Sequence, residues 1–415
     1  MISRKRRRTM FFTDSVTSRL RAGLRRGVVA IVLGQGWVCH AQLQGTDTQA
    51  FIASKPAQLQ PAYHKLNSEG ERNSVLNNMI IATRAVKIGD YREAADAIDR
   101  ALFDIKKYYG HSKAAAQARS LWYEEGSKAF KGEPYERAMA NYYRGMLDLR
   151  AGDFDNARAA FDNGFLQDAF AEEQQHRSDF ALLAFLAGWA ATMSGSDSLA
   201  EERYAELLTL RPDFKIPDAG DNTLIVIETG KSPRKLADGV GHSELVYRRG
   251  KKFKEKGVSV NLGGMRTAYV MEDIYMQAAT RGGRLVDRIN EGKVQFRKKQ
   301  TRSGSLLTES ASAIQSAEAY GDIGGLGDIA AGVSLLGTLQ LFAAQNAKPR
   351  ADTRYWDGLP EAVHILTFNS QTFTDSEIDI QYLDKTGAPL PSMQAREPIH
   401  KTPDGVGLVW AFSQK

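Results

Sequence analysis

From about Ser74 to Phe214, apolar residues recur at three- and four-residue spacing, the period of helices that bury one face. Three windows in this stretch share the same offsets. The first contains Ala82, Gly89-Asp90-Tyr91, Ala94, Ile98 and Ala101. The second contains Gly145, Gly152-Asp153-Phe154, Ala157, Phe161 and Gly164. The third contains Gly188, Gly195, Ala200, Tyr204 and Pro212. In each, a small residue stands seven positions before a turn glycine, an alanine follows five after it, and a larger apolar residue comes four further on. This predicts helix hairpins. The small residue lets the first helix approach the second, the glycine supports the turn, and Asp90 or Asp153 can cap the helix that follows. Each hairpin buries its stripe only against its neighbours, so the hairpins must stack. The windows are spaced unevenly, 63 residues from Gly89 to Gly152 and 43 from Gly152 to Gly195. The first gap leaves room for an extra helix that includes Trp122 and Tyr123.

After Phe214 the period changes. Residues 216–305 mix short strands and helices. Strand-like runs follow at Val363–Leu366, Ile378–Tyr382 and Gly407–Phe412, with turn chemistry at Asp384-Lys385-Thr386-Gly387. The expected organisation is a signal peptide at 1–41, a leader segment at 42–73, a helical-repeat domain at 74–214, a basic mixed α/β segment at 215–305, a Gly-rich apolar helical segment at 306–350, and a small antiparallel β domain at 351–415.

Charge changes this picture at the N-terminus. The pI is near 9.1, but residues 1–41 hold nine basic groups against one acid, and residues 42–415 sum to about −2. The basic stretch ends at Arg25-Arg26 and is followed by the short apolar run Val28–Leu33, with small residues at Cys39 and Ala41. That order predicts a secretory signal cleaved before Gln42. The apolar run is short of the roughly 20 residues that span a bilayer. The expected location is therefore the periplasm or cell envelope, with membrane anchoring as a variant. Cys39 is the single cysteine. Cleavage after Ala41 would leave no thiol for a disulfide or thiolate site. The rival reading makes Cys39 a lipidated first residue, against which Trp37 is a bulky neighbour.

Glu133-Pro134-Tyr135-Glu136-Arg137, then Asn141-Tyr142-Tyr143 and Gly152-Asp153-Phe154, resembles a family of uncharacterised bacterial envelope tetratricopeptide-repeat proteins described as lipoproteins. Two further patches fit that likeness: the strand and turn Leu224 to Lys235, and Asp352-x-Arg354-x-Trp356-x-x-Leu359-Pro360. The resemblance implies an α+β fold, with tetratricopeptide-like helical repeats at the N-terminus followed by a smaller mixed or antiparallel β C-terminal domain. It implies no assigned activity.

Candidate chemistry is thin. Gly325-Leu326-Gly327-Asp328-Ile329-Ala330 fits a dinucleotide fingerprint in letters, but no strand precedes it and no acid follows before Asp352. Ser232-x-x-Lys235 and Lys385-Thr386-Gly387 match two acyl-enzyme motifs, yet Pro233 follows a strand and turn where a buried helix is required. The histidines (His40, His64, His111, His176, His242, His364, His400) are scattered, with no i, i+4 pair for a metal. The doublets Glu124-Glu125, Glu172-Glu173 and Glu201-Glu202 lie on helical stretches, where neighbours point about 100° apart. No metal and no cofactor are expected.

Residues 231–302 hold 18 basic groups against seven acids. Arg248, Arg249, Lys251, Lys252 and Lys254 form the densest run, beside Arg297-Lys298-Lys299. The expected contact is a polyanion: a membrane surface, an envelope polymer or an acidic protein. An exported chain makes nucleic acid an unsuitable partner. Ile329–Ala344 is uncharged but short for a span. It reads as a packed helix, or as one that oligomerises or enters a membrane.

The resulting expectation is a non-enzymatic scaffold for a protein or peptide partner in envelope assembly or maintenance, with Tyr142, Tyr143, Arg144 and Arg150 on its binding surface. Asp352, Arg354 and Trp356 are expected to lock the β domain to the helices. The alternatives are an enzyme acting on cell-wall or surface polysaccharide, for which Glu228 or Asp352 could supply a carboxylate, and an oligomeric structural subunit assembled through 321–347.

Overall fold

A computed structural model describes residues 47–109, 129–169, 179–231, 233–238, 244–251, 253–279 and 352–414. The expectations that concern the signal peptide, Cys39, Trp122, Tyr123, Lys252, Arg297 to Lys299 and the segment 306–350 lie outside these residues. The chain divides into two compact units, Met1–Lys55 and Pro56–Lys415. In the first, residues 47–53 form a short helix. All that follows concerns the second.

The chain is α+β. Helix α1 spans Gln60–Glu69, and a 3-10 turn, Gly70–Asn73, leads into α2 (Ser74–Lys87) and α3 (Tyr91–Tyr109). The segment expected to be a leader is therefore helical from Gln60. Helices α4 (Pro134–Ala151) and α5 (Phe154–Ala169) form a second pair, and α6 (Ala181–Met193) and α7 (Asp197–Leu210) a third. Each pair turns on a glycine in the left-handed region: Gly89 at φ 80°, Gly152 at 82°, Gly195 at 73°. The backbone N–H groups of Glu93 and Asn156 donate to Asp90 and Asp153, which cap α3 and α5. In the second and third windows the small residue meets the large one. A Cβ at Gly188 would lie 2.7 Å from the Tyr204 ring, and one at Gly145 would meet Phe161 closer still.

Strands β1 (Thr223–Thr229), β6 (Tyr269–Asp273), β7 (Ala362–Phe368), β10 (His400–Lys401) and β11 (Gly407–Phe412) make a five-stranded sheet in the order β10-β11-β1-β7-β6. A second sheet runs β5-β4-β8-β9, from Met265–Thr267, Gly257–Asn261, Glu377–Leu383 and Pro389–Pro398. Strands β2 (Arg234–Asp238) and β3 (Glu244–Arg248) form a separate ribbon, and helix α8 covers Ile274–Ala279. The turn between β8 and β9 closes on Asp384, which accepts from the N–H groups of Thr386 and Ala388, with Gly387 at φ 81°.

Residues 351–415 are not a separate domain. Strand β1 lies between β7, antiparallel, and β11, parallel with Thr223 beside Gly407. The expected antiparallel C-terminal unit is thus woven together with residues 223–273. The physical reason is burial. Strand β1 is buried along its whole length, so each of its edges needs an apolar neighbour. Its faces divide by the strand period of two. Ile225 and Ile227 join Val258, Val260, Ile378, Ile380, Val409 and Ala411 in the core between the sheets. Leu224, Val226 and Glu228 point the other way, toward the helices.

The first helix of each pair lies against that second face. Every residue from Ala181 to Ala191 of α6 is buried, the pattern of a helix covered on all sides. The second helices bury one stripe only; α3 uses Ala94, Ala97, Ile98, Ala101 and Ile105. The layers run helices, five-stranded sheet, four-stranded sheet.

Candidate functional site

Glu228 sits at the helix–sheet boundary. Its Oε1 accepts from the Tyr142 hydroxyl at 2.9 Å and from Trp410 Nε1 at 3.0 Å, and its Oε2 accepts from the Tyr143 hydroxyl at 2.7 Å. The rings pack as well as donate, with Tyr143 5.5 Å from Trp356 and 5.8 Å from Trp410. Burial pushes the Glu228 carboxyl up, opposed by these three donors and by Lys87. Burial in turn lowers the Lys87 ammonium, which lies 5.9 Å from the Phe412 ring.

Beside it, Pro134 opens α4 with a reciprocal cap: the N–H of Glu133 donates to Glu136 at 2.7 Å. The other oxygen of Glu136 accepts from the backbone N–H of Trp356 at 2.7 Å. Trp356 is fully buried, and its Nε1 donates to Thr83 at 3.3 Å. Lys235 forms a buried ion pair with Glu133 at 2.6 Å. Burial pushes the Glu136 carboxyl up to about 7, with Lys235 opposing. A third buried carboxylate, Glu272 in β6, accepts from the N–H of Leu182 at 3.2 Å and from Gln277 at 3.0 Å; burial raises it, too, to about 7.

The segment that carries Trp356 also borders a groove of about 460 Å³. Its apolar lining is Pro61, Ala62, Leu76 and Ile80; its polar lining includes Lys65, Glu69, Asn73, Asn77, Arg84, Arg354, Tyr355 and Asp357. Asp352 holds Arg354 at 2.6 Å, and Arg354 in turn donates to Asn73 at 2.5 Å. Burial works to raise the Asp352 carboxyl, but the hydrogen bonds and charge of Arg354 outweigh it and keep it low. Glu69 is likewise held low: burial is outweighed by the amides of Asn77 and Asn73 and by Lys65. Arg84 is exposed and has no carboxylate partner among the described residues. The volume falls in the usual range of ligand clefts, and the lining combines apolar contact with fixed polar groups.

The expected surface residues lie elsewhere than predicted. Tyr142 and Tyr143 are fully buried, so a partner cannot reach them; the sheet covers the helix face they occupy. Arg144 is held by Asp99 at 2.8 Å and Asp148 at 2.7 Å. Arg150 stacks 3.9 Å from the centroid of Tyr91. In the basic run, Arg249 is committed to Asp273 at 2.6 Å and Glu361 at 3.2 Å, so it is not available to a polyanion. Arg248, Lys251 and Lys254 are exposed. Asp352, Arg354 and Trp356 tie the C-terminal segment to α2 and α4.

Both oxygens of Glu228, and both of Asp352, are taken by donors from the protein itself. His364 is buried, with Nε2 2.9 Å from the Thr229 hydroxyl, and burial depresses it to about 4. Among the described residues no group of three or more His, Cys, Asp or Glu could hold a metal, and no helix is long and apolar enough to cross a membrane. The groove is not legible in the sequence, because its walls come from residues 61–84 and 353–357. Only the Asp352-Arg354-Trp356 motif signalled one wall. Comparison with models of protein families, with curated proteins and with solved structures found no match.

Proposed function

We propose that this protein is an exported, non-enzymatic scaffold of the bacterial cell envelope, and that its tetratricopeptide-like helix pairs and sheets together frame a groove for an extended segment of a protein partner. The observation that carries this reading is the groove between α1, α2 and residues 353–357. Its apolar lining suits side chains of an extended peptide, and Arg84, exposed and without a carboxylate partner among the described residues, offers a guanidinium for a carboxylate on that peptide. Three features support the repeat reading: three hairpins in sequence order, a left-handed glycine at each turn, and small residues facing Phe161 and Tyr204. The face that a repeat array normally offers to a partner is covered by the chain's own sheet, so binding is assigned to the end of the array, at α1 and α2. Export rests on the basic and apolar order of residues 1–41.

Photo-crosslinking in the native host tests this. A photoreactive residue at Lys65 or Tyr355 is expected to give a discrete adduct, weakened by Arg84→Glu. The same residue at Phe103 or Leu208, exposed on the outward helices, is expected to give none. Adducts of equal yield at all four positions, or none in the groove, would contradict the assignment.

A further inference from the structure

The β2–β3 ribbon has one face committed to the fold and one that is partly exposed. Lys235 points inward to Glu133, and Tyr247 packs edge-on to Tyr135 at 5.9 Å. The opposite face pairs Arg234 with Arg248 and Leu236 with Val246. Like charges placed directly opposite on a ribbon repel each other; Arg234 Nε donates to the Arg249 carbonyl at 3.0 Å, and among the described residues no carboxylate pairs with either arginine. Among the described residues Arg234, Arg248, Lys251 and Lys254 have no ion-pair partner. Their neighbours do: Lys231 meets Asp357, Arg249 meets Asp273 and Glu361, and Lys256 meets Glu361. Two residues beyond Leu236 the register pairs Asp238 with Glu244. Leu236, 43% exposed, is the next residue on this face after Arg234.

We propose that this face docks on a membrane surface rich in anionic phospholipid, with Arg234 and Arg248 taking headgroup phosphates and Leu236 entering the interfacial layer. Guanidinium groups match phosphate oxygens two at a time. The apolar side chain selects the lipid, because a soluble polyanion offers it nothing, whereas a headgroup boundary accepts apolar and basic groups together. The proposal is independent of the groove, which lies between α1, α2 and residues 353–357.

The test is co-sedimentation of the full chain with phosphatidylcholine vesicles, with and without phosphatidylglycerol. Binding is expected only with the anionic lipid and is expected to fall with salt. R234Q/R248Q should weaken it about 25-fold, at about fivefold per surface cation. L236S should weaken it on vesicles and leave the salt dependence unchanged. K215Q/R396Q removes two exposed cations that already have carboxylate partners, and should bind as the unaltered protein does. Equal binding to neutral vesicles, or equal loss in the two double variants, would overturn the proposal. Binding to inorganic polyphosphate as tight as to vesicles, with L236S without effect on either, would overturn the lipid assignment in favour of a soluble polyanion.

Discussion

The hydroxyl of Tyr143, in α4, donates to Glu228 Oε2, in β1, at 2.7 Å across the boundary between helices and sheet. Both side chains are buried, so water cannot replace either partner. Tyr143→Phe is expected to destabilise the fold by about 1–3 kcal/mol, the cost of a stranded buried acceptor. Glu228→Ala strands the two tyrosine hydroxyls and the Trp410 N–H, and is expected to cost more than Tyr143→Phe. Glu228→Gln, which keeps the shape and one oxygen acceptor, should cost less than Glu228→Ala. Urea unfolding of the three variants orders them; equal stability of Glu228→Ala and the unaltered protein would show that the boundary is held by ring packing alone.

Glu272 predicts a pH dependence. Burial raises its carboxyl to about 7, above its value in the unfolded chain, so the folded state binds the proton more tightly. Its contribution therefore favours the fold at low pH and falls as pH rises from about 4.5 to 7, by on the order of a few kcal/mol at most. His364 acts with the opposite sign. Its folded value near 4 makes stability rise with pH between about 4 and 6.5. The two slopes oppose each other, so the difference between Glu272→Gln and the unaltered protein is the quantity to measure. Glu272→Gln is expected to gain relative stability as pH rises through this window. A difference independent of pH would contradict a buried, titrating Glu272.

Gly188 faces the Tyr204 ring at a distance that leaves no room for a methyl group. Glycine costs a helix interior about 1 kcal/mol relative to alanine, so on propensity alone Gly188→Ala should stabilise. The close approach predicts the reverse, a net loss of about 1–2 kcal/mol from overpacking. Thermal unfolding decides the sign, and a raised midpoint would mean that the hairpin has slack at this contact.

The helices and the local strands were legible in the sequence because their signals are short-range. Gly145 and Phe161, or Gly188 and Tyr204, stand sixteen positions apart, close enough for one repeating pattern to show. The run Leu224–Ile227 reads as a strand because both its faces are buried and it is apolar throughout. Its partner β11 was not legible. The parallel pairing of Thr223 with Gly407 joins segments far apart in the chain, and no local residue choice records it. The misplacement of Tyr142 and Tyr143 has a physical source. Adjacent residues on a helix point about 100° apart, so a helix covered on one face would expose one of them. Helix α4 lies against both its neighbouring helices and the sheet, and both rings are buried. Arg249 misled for a similar reason, since Asp273 and Glu361, which neutralise it, lie outside the basic run.

Arg354 joins the groove's two walls through Asp352 and Asn73. Arg354→Ala is expected to cost about 1–3 kcal/mol, because it leaves the part-buried Asp352 carboxylate with the backbone N–H of residue 354 but without the guanidinium. It is also expected to speed hydrogen exchange at residues 353–357 relative to the sheet. Uniform exchange across both regions would mean that Trp356 alone fixes the segment.

The most direct test of the central claim is thiol accessibility in intact cells. With Cys39 replaced by serine, the chain offers no other thiol. Single cysteines at Lys65, in the groove, and at Leu208, on an outward helix, can then be compared using a reagent that crosses the outer but not the inner membrane. An exported scaffold with an occupied groove predicts that Leu208→Cys labels readily in cells and in pure protein, while Lys65→Cys labels readily only when pure. Labelling of both positions in cells at the rates of the pure protein would contradict occupancy of the groove. Labelling of neither until the inner membrane is broken would contradict export.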